Sequence, residues 1–329
     1  MTGHTPRVSV LMPVWNAIRF LRLAMDSVLR QSFESFELLV VDDGSSDGTT
    51  ELLSTYRDPR VRVVRNDERR GLVYALNAGI ALARGEYVAR MDGDDVSHPE
   101  RLSAEVRFLE AERDIVLVGS WANVVDDKGD VLSVIRAPID SREIHEALLN
   151  RNTFVHSSVM FRKSAVVELG GYQRIRPNTD AAQDYHLWLR LADRYSLANI
   201  ADILMDYRIH DDQISLQRLA SQRACADLAR QLASKRRAEH GEPVKRPRGL
   251  GLMERLRGQP GTLGGDYLSF AELYRAAERR DLALRLACRA VLRSPLSGQS
   301  WDLAGRELTR RVLGPDGIRM LRAWLARGR

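Results

Sequence analysis

Cysteine is almost missing: among 329 residues only Cys225 and Cys288 carry a thiol. They stand far apart inside helix-like patterns, which excludes a disulfide framework and a cysteine metal site and suits reduced thiols in a cytoplasmic protein. Long apolar runs are missing too, since no segment approaches the roughly 18 residues of a membrane span. The opening "MTGHTPRVSVLMPVWN" has an apolar run of a few residues leading into a polar loop, so it reads as a first β-strand and not as a secretory leader. Aromatic residues make up only 6% of the chain, and no nucleic-acid-binding motif accompanies its basic residues, so nucleic acid is not an expected partner. Walker and G-x-G-x-x-G sequences are both absent, which removes the glycine-loop cradle for phosphate. Neutralising a phosphate then falls to a metal ion and to arginines such as Arg69 and Arg70.

Charge of both signs is plentiful but unevenly placed. From residue 213 onward 24 Lys/Arg stand against 11 Asp/Glu, whereas the preceding part holds 26 against 33. An acidic module is followed by a basic one, and the expected division is 1–215, a helix and basic Pro/Gly-rich linker over 216–265, and a helical region over 266–329. The stretch "YRAAERRDLALRLACRAVLRSPLSGQSWDL" weakly resembles one tetratricopeptide-type helix pair.

The acidic module alternates short β-rich runs, at 8–14, 36–43, 60–66 and 85–92, with amphipathic stretches at 17–31, 47–57, 71–84 and 99–113. This alternation predicts an α/β fold with a mostly parallel sheet and helices on both faces. Residues 115–136 read as two strands joined by a turn at Gly129, followed by helices at 140–150 and 182–195 and a strand running into "MDYRIHDDQIS". Ligands of such sheets bind outside the carboxyl ends of the strands. There the chain places Pro13, Val14 and Asn16 after the first strand, Asp42 and Asp43 after the second, Arg70 after the third, and Asp92, Gly93, Asp94 and Asp95 after the fourth.

Three aspartates within four positions repel one another and raise each other's pKa. A divalent cation among them, Mn²⁺ or Mg²⁺, would make the cluster favourable, with Gly93 leaving room for a ligand. A plainer reading makes Asp95 or Ser97 the cap of the helix near Pro99. Likewise "VVDDGSSDGT" offers Ser46 or Asp47 as a helix cap, but capping leaves Asp42 and Asp43 unexplained, and a carboxylate at that edge can accept from a nucleoside. In "AAQDYHLWLRLADRY", Asp184 on the first helical turn is either a partner of the helix dipole or a base held over the cleft. His156, Arg208 and His210 sit in polar, loop-like contexts where structural and functional roles both fit.

In order, "VSVLMPVWNAIRFLRLAMDSVLRQSFESFELLVVDDGSSDGT", "GLVYALNAGIALARGEYVARMDGDDVSHPERL", "HSSVMFRKSAVVELGGY", "QDYHLWLRL" and "YRIHDDQIS" resemble the family 2 glycosyltransferases over about residues 7–215. The resemblance implies the GT-A fold, Rossmann-like, with an all-α extension after it. It implies an inverting, metal-dependent transferase using a nucleotide-sugar donor, a UDP-sugar first, and a saccharide or lipid-linked acceptor. By the same resemblance Pro13, Val14, Asn16, Asp42, Asp43 and Arg70 hold the nucleotide, joined by Asp92 and Gly93. Asp94 binds the metal, with Asp92, Asp95 and His210 as further candidates, and Asp184 is the general base. Where the family usually has Glu-Asp this chain has Gln183-Asp184, which leaves Asp184 easier to ionise. The Q-x-x-R-W signature of processive synthases is absent, so one sugar is added per encounter. A catalytically inactive sugar-nucleotide-binding module and a nucleotidyltransferase are the competing readings. The basic helices admit peripheral contact with anionic lipid at the inner face of the plasma membrane, or a docking or homo-oligomer surface.

Overall fold

The computed structural model describes residues 5–210, 219–239, 263–276 and 279–307. The expected boundary near 215, nearly all of the linker expected at 241–265 and the tail beyond 307 lie outside the described residues.

Four strands, β1 (Val8–Val14), β2 (Phe36–Asp42), β3 (Val61–Arg65) and β4 (Tyr87–Arg90), alternate with α1 (Leu21–Leu29), α2 (Thr49–Ser54) and α3 (Leu72–Leu82). They pair in parallel, with β1 between β2 and β4 and β3 beyond β2. The next elements are β5 (Val96–Ser97), α4 (Arg101–Ala111), β6 (Ile115–Val125), β7 (Val131–Ile135), α5 (Ser141–Leu148), β8 (Met160–Arg162), α6 (Lys163–Glu168), α7 (Gln183–Ala192) and β9 (Ser196–Arg208). The sheet runs β3-β2-β1-β4-β8-β6-β9-β5, with β7 on β6.

The parallel half follows the sequence pattern; the second half is mixed. Strand β8 inserts antiparallel between β4 and β6, and β6 runs parallel to β9. With only three residues, β8 carries no periodicity of its own to announce this.

Period-two alternation builds a core on each face. Leu11, Leu39, Val41 and Val88 point to one side, where Leu76, Ile80, Leu187 and Trp188 cover them. Val10, Met12, Leu38 and Val40 point to the other, against Leu21, Met25, Val28 and Leu102. Both faces of β1 and β2 are buried, which explains their unbroken apolar runs.

Contacts divide the chain into two compact units, Met1–His210 with Ala224–Pro247, and Asp211–Arg223 with Arg248–Arg329. In the first, the part of α8 (Leu219–Glu239) from Ala224 onward lays Cys225, Ala229 and Ala233, spaced four apart, on the core of the α7 face. In the second, α9 (Leu263–Ala276) pairs with α10 (Arg280–Arg293), burying Leu268, Ala271 and Tyr274 along with Ala283, Leu286 and Ala290. No helix among the described residues is long and apolar enough to cross a membrane.

Candidate active site

The loops after β1 and β2 are laced together. Backbone N–H groups of Asn16, Ala17 and Ile18 donate to Ser45 Oγ, Thr49 Oγ1 and Asp47 Oδ2 at 2.9, 2.9 and 3.1 Å, and the Ser46 N–H returns a bond to Asn16 Oδ1 at 2.9 Å. Asn16 holds a left-handed φ of 50° to do so. Pro13 and Val14 are not loop residues: both are buried and paired with Val41 and Asp42 in the β1–β2 ladder. Pro13 lies beyond the last β1–β4 pair, Leu11 with Arg90, so its missing N–H leaves that ladder intact.

The aspartates after β2 face different ways. Asp42 is fully buried and turned into its own loop, accepting from the Ser45 N–H at 3.0 Å and the Thr50 hydroxyl at 2.7 Å. Asp43 gathers the loop after β3, accepting from Asn66 Nδ2, the Arg70 N–H and the Gly71 N–H at 2.8, 2.9 and 2.7 Å. The guanidinium of Arg70 rests on Tyr74, and that of Arg69 stacks 3.4 Å above the exposed Trp15 ring. Of the two candidate caps of α2, Asp47 accepts from the Thr49 N–H, whereas Ser46 Oγ makes no cap and the cap position is Gly48.

Gly44 must be glycine. Its φ is +73°, and a Cβ there would sit 2.8 Å from the Glu68 carbonyl carbon and 2.9 Å from the Arg69 nitrogen. Both neighbours are backbone and cannot swing aside, so Gly44→Ala lowers stability by about 2 kcal/mol or more. Chemical denaturation compared with wild type measures this loss.

Asp92, Asp94 and Asp95 bring one oxygen each within 4.8 Å of one another. Asp92 is braced from behind: Arg90, buried in β4, forms an ion pair with it, and the Ser157 hydroxyl donates to its Oδ2 at 2.8 Å. Burial pushes the Asp92 carboxyl up, but the Arg90 charge and hydrogen bond, with help from His156 and Ser157, outweigh it and hold the group below its ordinary range. The Arg90 guanidinium also donates to Ser157 Oγ at 3.0 Å.

Asp95 does not cap α4, whose preceding residue Glu100 makes no side-chain cap, and Ser97 Oγ is engaged by Gln31. Asp95 Oδ1 instead accepts the Arg208 N–H at 2.8 Å, while its Oδ2 is buried without a hydrogen-bond partner among the described residues. Burial, then the charges of Asp94 and Asp92, push its pKa well above the ordinary value. An unsatisfied buried carboxylate oxygen costs about 1–3 kcal/mol or more. A divalent cation accepted by oxygen ligands removes that penalty, so these residues fit one.

The side of Gly93 where a Cβ would stand is occupied by protein. A Cβ there would meet Val14 Cγ1 at 3.1 Å and Ala17 Cβ at 3.4 Å, so the glycine lets β4's end close against the first loop. The end of β9 closes the other side. His210 Nε2 lies 3.0 Å from Asp94 Oδ2, its ring against Phe20, and Arg208 donates through Nε to the Asp94 carbonyl at 3.0 Å and through Nη1 to the Asp126 carbonyl at 2.6 Å. Arg208 thus holds backbone in place and presents no charge to the cluster's carboxylates in these contacts.

Asp184 occupies the first turn of α7, as its place in the sequence suggests. Asn152 Nδ2 donates to its Oδ2 at 3.0 Å. Burial raises its pKa against the opposing pulls of the Tyr185 N–H, the Arg90 charge and Asn152. The Arg90 charge therefore acts on Asp92 and Asp184 alike. His156 Nε2 lies 3.0 Å from the Tyr172 hydroxyl with its ring against Trp188, and burial followed by the Arg90 charge pushes its pKa well down.

Arg90, Ser157 and Asn152 were not singled out from sequence. Arg90 had a readable signal, since residues 90 and 92 share one side of an extended strand. Ser157 and Asn152 had none, because β8 and the α7 turn bring them in from distant parts of the chain. Arg101 was also passed over: it is buried beneath the cluster, paired with Glu105 at 3.0 Å and donating to the Arg90 carbonyl at 2.9 Å.

The family model of glycosyl transferase family 2 matches residues 9–170. EpsE of Bacillus subtilis (strain 168), named as a glycosyltransferase, is 34% identical over 218 residues, covering 65% of this chain and 76% of that protein. The amylovoran biosynthesis glycosyltransferase AmsE of Erwinia amylovora is 31% identical over 216 residues, covering 64% and 79%. Among solved structures, S. aureus TarS 1–349 in complex with UDP-GlcNAc matches with a TM-score of 0.54 at 17% identity, over 94% of this chain and 92% of that one. The mannosyltransferase PcManGT from Pyrobaculum calidifontis in complex with GDP-Man and Mn²⁺ matches with a TM-score of 0.52 at 21% identity, over 93% and 85%. At such identities the structural likeness is one of fold, the GT-A arrangement. With the sequence relatives sharing about a third of their residues over most of their own length, the chain belongs to glycosyl transferase family 2.

Proposed function

We propose that the enzyme moves one sugar from a nucleoside-diphosphate sugar to a hydroxyl acceptor, with inversion and with a divalent cation, in assembly of a cell-surface polysaccharide or glycolipid. The observation that carries this reading is the trio Asp92, Asp94 and Asp95, in which one buried carboxylate oxygen of Asp95 lacks a hydrogen-bond partner among the described residues. The names of AmsE and of the O-antigen biosynthesis glycosyltransferase WbnJ support the polysaccharide setting. The UDP-GlcNAc complex of TarS supports a UDP-sugar, and the Mn²⁺ in the PcManGT complex supports the cation.

In this reading Asn16, Asp43 and the loops they fix receive the nucleoside, with Pro13, Val14 and Asp42 shaping those loops from within. Asp92, held in one orientation by Arg90 and Ser157, contacts the ribose or the water shell of the cation. Asp94 and Asp95 would hold the cation itself, and His210 orients Asp94. Bound there, a divalent cation supplies positive charge to the diphosphate as it leaves. Asp184 takes the proton of the acceptor hydroxyl, whose oxygen attacks the anomeric carbon from the face opposite the diphosphate. Its raised proton affinity suits a base, and Asn152 keeps the carboxylate in one rotamer.

A panel of nucleotide sugars, each assayed for nucleoside diphosphate release with Mn²⁺ and with a chelator, tests the proposal. Turnover of at least one donor that stops with the chelator is expected. Affinity without turnover would mean a binding module, and pyrophosphate release would mean nucleotidyl transfer.

A further inference from the structure

At the end of α7 remote from Asp184, four arginines line a cavity of about 540 Å³ that the proposed chemistry leaves unused. Arg190 and Arg194 come from the last turn of α7 and the residues after it, and Arg236 and Arg237 from the end of α8, all within the first unit. Six residues separate Asp184 from Arg190, about 9 Å along the helix axis. Among the described residues the acids lining the cavity are Glu168 and Asp193, which leaves two positive charges in excess among them.

Those two acids are already engaged. Asp193 accepts from Arg236 Nε at 2.7 Å and from Arg237 Nε at 3.0 Å. Glu168 meets Arg194 at 3.3 Å and the Tyr195 hydroxyl at 2.7 Å. Arg190 donates to the carbonyls of Gly171 and Leu169. Arg237 Nη2 is buried and has no hydrogen-bond partner among the described residues. Anchoring α8 through Asp193 needs one guanidinium, so this explains neither the second arginine on α8 nor the charge of Arg190 and Arg194. Crowding like charges is unfavourable: burial first, and then the charge of Arg236, lowers the pKa of Arg190. The same surroundings push the neighbouring His186 down to about 4, through burial and the charges of Arg190 and Arg236.

We infer that this cavity binds a phosphate-bearing anion, a phosphate or diphosphate ester, at a second site separate from that of the donor. Guanidinium forks match the oxygens of a phosphate and tolerate one another when an anion lies between them. A carboxylate would use one fork and leave the other charges unmatched, whereas a doubly charged phosphate balances the excess. The volume accommodates a diphosphate with part of its ester.

Calorimetric titration of the full chain with inorganic pyrophosphate, in chelator so that no metal bridges it at the donor site, tests the inference. Saturable binding is expected, weakened at least tenfold in an Arg194→Gln/Arg237→Gln variant and unchanged in Asp94→Ala. Should the double variant fail to fold, Arg194→Gln alone, whose side chain is 59% exposed, is expected to weaken binding about threefold. Co-sedimentation with phosphatidic acid vesicles, whose headgroup is a phosphate monoester, separates the sources of phosphate. A lipid headgroup gives vesicle binding that pyrophosphate competes away and Arg194→Gln weakens; a soluble ester gives pyrophosphate binding without vesicle binding. Absence of both, or an affinity indifferent to the arginine substitutions, would overturn the site.

Discussion

Asp184→Asn is expected to lower kcat by about 10³- to 10⁴-fold while the donor's dissociation constant stays within about twofold, the size of effect seen when a positioned base is removed. The amide keeps the shape of the carboxylate and can still meet Asn152, but it cannot take the acceptor's proton. The pH dependence follows with a definite sign. Burial raises the Asp184 pKa, and the proposed base is its ionised form, so wild-type kcat is expected to fall on acidification at a pH above that of an ordinary aspartate. Asn152 donates to the charged form and pulls the pKa down, so Asn152→Ala moves the acid limb still higher. Steady-state kinetics over a pH series, with donor binding measured separately, resolves the effects. If Asp184→Asn keeps wild-type kcat, another group is the base.

Asp94→Ala is expected to remove metal-dependent stabilisation by nucleotide sugars altogether and to cut turnover by about 10³-fold, the several kcal/mol that a cation contributes when it offsets charge on a leaving group. The substitution removes the His210 contact but keeps the rest of the cluster's scaffold: Asp92 keeps Arg90 and Ser157, Asp95 keeps the Arg208 N–H, and the Asp94 carbonyl still accepts from Arg208. A thermal-shift series with Mn²⁺ and a panel of donors, repeated on the variant, reads this directly. Unchanged metal-dependent shifts in Asp94→Ala would remove Asp94 from the metal site.

How far these residues could be read beforehand depended on how local their signals are. Strands β1 and β2 declare themselves because both of their faces are buried, giving seven consecutive buried residues in each. The aspartates after β4 stood out because like charges so close in sequence require an explanation. Asp184 needed its neighbours in the motif, since a carboxylate on a first helical turn is common for reasons of the dipole alone. What escaped depends on tertiary pairing. Strand β8, three residues long, sets Ser157 beside Asp92, and Asn152 reaches Asp184 across 32 positions of sequence. At Gly93 sequence shows that a side chain is absent but not which neighbours stand where it would be, and these are Val14 and Ala17. Sequence leaves Asp95 open between a helix cap and a metal ligand, because its partner, the Arg208 backbone, lies 113 residues away.

The most direct test of a single base acting opposite the leaving diphosphate is the configuration of the sugar first released. With a turned-over α-linked nucleotide sugar and water or a simple alcohol as acceptor, proton NMR recorded before mutarotation reads the anomeric coupling. A β product appearing first, at a rate that Asp184→Asn suppresses, is the expected result. An α product appearing first would contradict inversion and the role assigned to Asp184.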